Sequence, residues 1–197
     1  MNSEEWVTDL KDLVVQGASL MGEYTPLISK LVTGVRLNRF ENRLKKNEKK
    51  LNEIFYYLSK NDVEFFVDKV GVPVFEKIMQ DQEDDKAEFL LLGFENCVKN
   101  NIKNEDIIVY YFDLISEMRV LELKRFVTLS RRTEEGPIIP IVGSDQEILI
   151  NSADNKLKRA GLICAKTSWS SENGEYINPG TITISQSGNK LLDFLGF

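Results

Sequence analysis

Leu37, Leu44, Leu51 and Leu58 recur every seven residues, and Phe40, Asn47, Ile54 and Asn61 each follow one of them by three. Steps of three and four residues place side chains on one stripe of an α-helix. Between Pro26 and Lys60 only Gly34 punctuates the chain. The pattern predicts one long helix over about residues 26–60, with Leu37, Phe40, Leu44, Asn47, Leu51, Ile54 and Leu58 as its seam. Asparagine in such a seam fixes register and oligomeric state at a cost in stability. Two outcomes fit the seam equally: pairing with a second copy, giving a homo-oligomer, or burial of the same face against the rest of the chain.

Shorter helices flank it. Trp6, Leu10, Leu13 and Val14 predict a helix over residues 3–17 that starts near Ser3 and stops at Gly17. Val63 to Val70 reads as another, interrupted at Gly71-Val72-Pro73 and resumed through Val74, Phe75, Ile78 and Met79 as far as the acidic turn at residues 81–85. Lys86 to Asn100 carries Ala87, Leu90, Leu91, Phe94, Cys97 and Val98 on one side.

Residues 106–130 hold two more helices, and residues 136–143 read as an extended loop around Ile138, Ile139, Ile141 and Val142. A helix over residues 145–160, with a break near Ser152-Ala153-Asp154, ends on Gly161. The chain then enters a strand at residues 162–165. It passes a polar tip over residues 168–180 and returns along Thr181-Ile182-Thr183-Ile184-Ser185, whose isoleucines have strand spacing. Ser187-Gly188 opens a last helix. Helix, helix, helix, hairpin, helix is a winged-helix order. The expected fold is mainly α: a helical, coiled-coil-prone region over residues 1–104, then a winged-helix-like domain with a β-hairpin over residues 105–197.

Charge and chemistry narrow the function. The net charge is −6. Residues 36–50 alone carry Arg36, Arg39, Arg43, Lys45, Lys46, Lys49 and Lys50 against Glu41 and Glu48. That face either pairs with acids of the same molecule or a second copy, or tracks nucleic acid or an anionic membrane. Histidine is absent, which removes Ser–His and Cys–His nucleophiles and the usual zinc sites. Cys97 and Cys164 lie far apart and read as reduced core residues. Adjacent acids such as Asp84-Asp85 and Glu134-Glu135 read as solvated turns, and no glycine-rich phosphate loop occurs. These observations point to no catalytic, metal or cofactor-binding residues and no cofactor. A carboxylate-metal enzyme stays open, since magnesium ligands need no fixed spacing. The acidic start and the lack of a long apolar run predict a cytoplasmic protein without a transmembrane segment.

In a winged helix, the helix before Gly161 would offer Lys156, Lys158 and Arg159 to DNA. From Asp106 to Phe197, however, there are 10 basic and 12 acidic residues, against the basic footprint of a duplex binder.

The stretch from Ile107 to Ile115, then Leu121-Glu122-Leu123-Lys124, then the phrases Gly161-Leu162-Ile163 and Ile182-Thr183-Ile184-Ser185-Gln186-Ser187-Gly188 follow a coiled-coil-prone half. In this layout the chain resembles the bacterial abortive infection alpha proteins over about residues 25–195. The resemblance implies a cytoplasmic phage-defence or prophage-borne protein and carries over no functional residue. The expected function is a non-enzymatic protein-interaction component, partnered by protein and by a second copy of itself. The alternative is a winged-helix DNA-binding regulator.

Overall fold

Asn47 divides the expected long helix in two. The computed structural model describes residues 35–170 and 174–197, and in it α1 (Val35–Lys46) and α2 (Glu48–Leu58) meet at Asn47. The Asn47 side-chain amide donates to the Arg43 carbonyl at 2.9 Å, while its backbone N–H donates to Leu44 at 3.0 Å. The side chain thus takes the carbonyl that the residue's own N–H would take in an uninterrupted helix. Asparagine here breaks a helix. The expected helix over residues 3–17 lies outside the described residues.

The chain forms two units that divide after Glu117, beyond the boundary at residue 104 expected from sequence. In the first unit, Phe40, Leu44, Leu51, Ile54 and Leu58 are buried, and Asn47 is buried with them. The Leu37 side chain lies outside the described residues. α1 packs on α4 (Val72–Gln80) and α2 on α5 (Lys86–Lys99); the Phe40 and Phe75 rings meet edge to face at 6.2 Å. Ile54 and Leu58 have no exposed area. From Phe40 to Leu58 the seam is filled from within its own unit.

Gly71-Val72-Pro73, by contrast, does not interrupt the next helix. α3 (Val63–Phe66) passes through a π-turn (Val67–Gly71) into α4, with the Val72 N–H on the Val67 carbonyl. A widened turn lets the chain absorb Pro73, which has no N–H to give, near the start of α4. α5 carries the core of the unit, with Leu90, Leu91, Phe94, Cys97 and Val98 buried. Burial pushes the Cys97 thiol up to about 12. α6 (Glu105–Glu117) lays Ile108, Phe112 and Ile115 against this core, which is why it belongs to the first unit.

The basic face of α1 and α2 meets the acidic turn. Arg43, 3% exposed, donates through Nε to Asp84 at 2.8 Å, through Nη2 to the Asp81 carbonyl at 2.8 Å, and through Nη1 to the Ile78 carbonyl. The last two bonds satisfy carbonyls at the end of α4 that the helix leaves open. Arg39 pairs with Asp84 at 2.6 Å, Lys46 with Asp85 at 2.6 Å and Lys50 with Glu88 at 3.4 Å. The Arg39 and Arg43 side chains hold the Asp84 carboxyl below its ordinary value of 3.8. Stability from this pairing is therefore present above that value and fades as pH falls through the lower native one. The adjacent acids Asp84 and Asp85 are structural ion-pair partners.

In the second unit, α7 (Val120–Leu129) and α8 (Asp145–Arg159) pack together. β1 (Ile163–Cys164) pairs antiparallel with β4 (Thr183–Ile184), and β2 (Thr167–Ser170) with β3 (Gly174–Ile177). The chain advances four residues from Ile163 to Thr167 but seven from Ile177 to Ile184. A 3₁₀ turn at Pro179–Thr181 takes up the difference. Within the expected tip, the described residues 168–170 belong to β2 and 174–177 form β3, with Ile177 buried. α9 (Gln186–Phe194) starts on Ser185, which accepts the Gly188 N–H at 2.9 Å. A Cβ on Gly188 would stand 2.2 Å from the Leu162 carbonyl oxygen, so only glycine lets α9 sit this close to the root of the hairpin. The described residues are mainly helical with this small hairpin, and no helix among them is long and apolar enough to cross a membrane.

Two predictions concern the first unit. Arg43→Ala should cost about 2–3 kcal/mol in urea unfolding, because it strands buried carbonyls, whereas Arg39→Ala, at an exposed pair, should cost under about 1 kcal/mol; equal losses would refute the ranking. Burial, then the charge of Glu53, raises the Glu95 pKa above its ordinary 4.5. A raised native value favours the protonated form, so its contribution is full below 4.5 and lost as pH rises through the native value. Glu95→Gln should accordingly raise Tm at pH 7 and leave it nearly unchanged near pH 4.

Candidate interaction surface

A buried ion pair organises the second unit. Arg125 of α7 and Asp154 of α8 are 6% and 2% exposed. Their bonds are bidentate, Nε to Oδ1 and Nη2 to Oδ2, both at 2.9 Å. Two parallel bonds fix the angle as well as the distance between the helices. α8 therefore runs unbroken through Ser152-Ala153-Asp154, where sequence suggested a break: Ala153 and Asp154 are both buried. A flanking pair, Lys156 to Glu122 at 2.7 Å, adds a second tie, and Glu122 also accepts the Arg119 N–H at the start of α7 at 2.9 Å.

The third bond of Arg125 leaves the helix pair. Its Nη1 donates to the Ile138 carbonyl at 2.8 Å, which pins the beginning of the apolar loop. The far end is pinned at the start of α8. Ser144 accepts the Glu147 N–H at 3.2 Å, and Glu147 reaches back to accept the Gly143 N–H at 2.6 Å. This is close to a reciprocal helix cap. Gly143 has a φ of 78°, a conformation that suits glycine.

Between these anchors the side chains face solvent. Ile139 is 89% exposed, Val142 87% and Ile141 75%, with Ile138 at 47%. Ile148 and Leu149 on α8 continue the series at 68% and 52%. Scattered exposed apolar residues are ordinary, but a run of large aliphatic ones marks a surface awaiting a partner. Sequence reading placed the loop and missed its exposure; the available signal was an apolar run bracketed by Pro137, Pro140 and Gly143 without the spacing of a helix or strand.

The residues expected to touch DNA fare unevenly. Lys156, Lys158 and Arg159 share the C-terminal end of α8. Lys156 is engaged by Glu122, Lys158 is half-buried, and exposed Arg159 turns its Nε toward the Asn155 carbonyl at 3.4 Å. Among the described residues, no group of three or more His, Cys, Asp or Glu side chains is arranged to hold a metal ion. Comparisons with protein-family models, curated proteins and solved structures gave no match.

Asp154→Ala should destabilise the protein by about 3–5 kcal/mol, because Arg125 would stay buried without its counter-charge. Arg125→Leu combined with Asp154→Leu should cost clearly less. Urea unfolding followed by circular dichroism measures both, and a double variant as damaged as the single one would refute the account.

Proposed function

We propose that this chain is a non-enzymatic interaction component that binds a partner protein through the apolar segment at residues 138–142, together with Ile148 and Leu149. The supporting observation is the combination of exposure and anchorage: aliphatic side chains stand in solvent on a backbone tied at Ile138 and Gly143. Hydrophobic surface that the fold itself does not need, held in one place, suits recognition more than stability. The layout shared with abortive infection alpha proteins extends the proposal to a cytoplasmic role in phage defence or a prophage.

A winged-helix DNA-binding regulator is the second reading, favoured by a hairpin that follows the helix carrying Lys158 and Arg159. It draws less support, because Lys156 is already paired within the unit and the net charge from Asp106 onward is acidic. Retention on DNA that is unaffected by salt between 50 and 200 mM, about the range over which phosphate contacts weaken, would dispose of it.

Ile139→Ser with Val142→Ser removes apolar surface that makes no core contact. Folding stability should change by no more than about 0.5 kcal/mol per site, while co-purification of the partner from the native host should be lost. Retained co-purification by the folded double variant would refute the reading.

A further inference from the structure

We propose that residues 138–141 lie extended in an apolar groove of a partner, with Val142 at the turn that follows, and that the rim of this groove carries lysine or arginine. The inference rests on the interaction reading above and adds the partner's chemistry to it. Three observations carry it.

The first is charge. Residues 133–149 contain Glu134, Glu135, Asp145 and Glu147 and not one basic residue. Glu134, Glu135 and Asp145 are exposed, and none of these three enters an ion pair among the described residues. The first unit behaves in the opposite way: there the acids from Asp81 to Glu88 are met by arginine and lysine. Arg131 and Arg132 precede these acids, and Arg132 pairs with Asp193; residues 131–149 still hold four acids against two bases, and an acidic flank selects a partner of opposite sign.

The second is the backbone. Among the described residues, no backbone–backbone hydrogen bond uses the N–H of Ile138, Ile139, Ile141 or Val142. Those donors are available to a strand edge or to carbonyls lining a groove. Pro137 and Pro140 restrict φ and hold Gly136 and Ile139 away from helix, so an extended ligand is offered up to Ile141, whose carbonyl the Ser144 N–H then meets in a turn. The third is anchorage. The bonds from Arg125 to Ile138 and from Gly143 to Glu147 fix both ends before binding, which lowers the ordering cost.

The same acids disfavour other occupants. Nucleic acid and an anionic bilayer surface share their sign. In a two-fold contact between copies, both patches would carry the same net acidic charge.

The test places the photoreactive residue p-benzoylphenylalanine at Val142 of the full chain in the native host, irradiates, and maps the adduct by mass spectrometry. The expected adduct lies on another protein, on a peptide bordered by lysine or arginine. Binding of the purified pair should weaken about tenfold between 50 and 300 mM NaCl. Glu134→Gln with Glu135→Gln and Asp145→Asn should weaken it about as much at low salt and flatten the salt response. A partner that needs Ile139 yet ignores both salt and these acids overturns the charge inference and leaves the interaction reading standing. No adduct, or adducts confined to this chain or to a second copy of it, overturns both.

Discussion

A guanidinium taken out of water must place its N–H donors on acceptors, and each unit is arranged around one that makes three such bonds. Arg43 reaches the end of α4 and the acidic turn after it; Arg125 reaches α8 and the start of the apolar loop. In both cases one side chain ties a helix to a second helix or its end and to the backbone of a connecting segment. Apolar burial is non-directional and leaves such connections free to slide. The planar fork of arginine does not, so each of these residues converts a packed pair of helices into a fixed geometry.

The units differ in what they do with their remaining charge. The first neutralises it internally: its basic helix face and its acidic turn are neighbours in space although some forty positions apart in sequence. That neutralisation explains how a cluster that looks like a nucleic-acid or membrane stripe in one dimension can be structural in three. The second unit keeps Glu134, Glu135 and Asp145 in solvent beside exposed isoleucines. On the proposed reading, interaction capacity is concentrated in a short stretch, and the rest of the unit serves as its support.

Much of the helical core was legible because burial follows spacing. The seam from Phe40 to Leu58 and the α5 face from Leu90 to Val98 are buried where their periodicity placed them. What spacing did not carry is the destination of a buried face, since a stripe filled by a second copy and one filled by α4 and α5 have the same sequence signature. Breaks were misread in both directions for a local reason. Asn47 ends a helix by one side-chain bond, whereas Pro73 and the run Ser152-Ala153-Asp154 are carried through by a π-turn and by a buried ion pair. The return strand at Thr181–Ser185 was legible and holds β4, paired with β1; the second ladder was not, because β3 lies in polar sequence and owes its position to pairing with β2. The candidate interaction surface was the least legible feature, as exposure of Ile139 and Val142 depends on where Arg125 and Glu147 hold the loop.

The burial of Cys97 has a practical side. A thiol with so high a pKa is almost entirely protonated at neutral pH and buried from reagents, and the thiolate is the reactive form. Cys164, exposed at the root of the hairpin, is left as the natural attachment point for a maleimide fluorophore or spin label. The wild-type chain thus comes with a single addressable handle in its second unit, and spectroscopy there can proceed without first removing a cysteine.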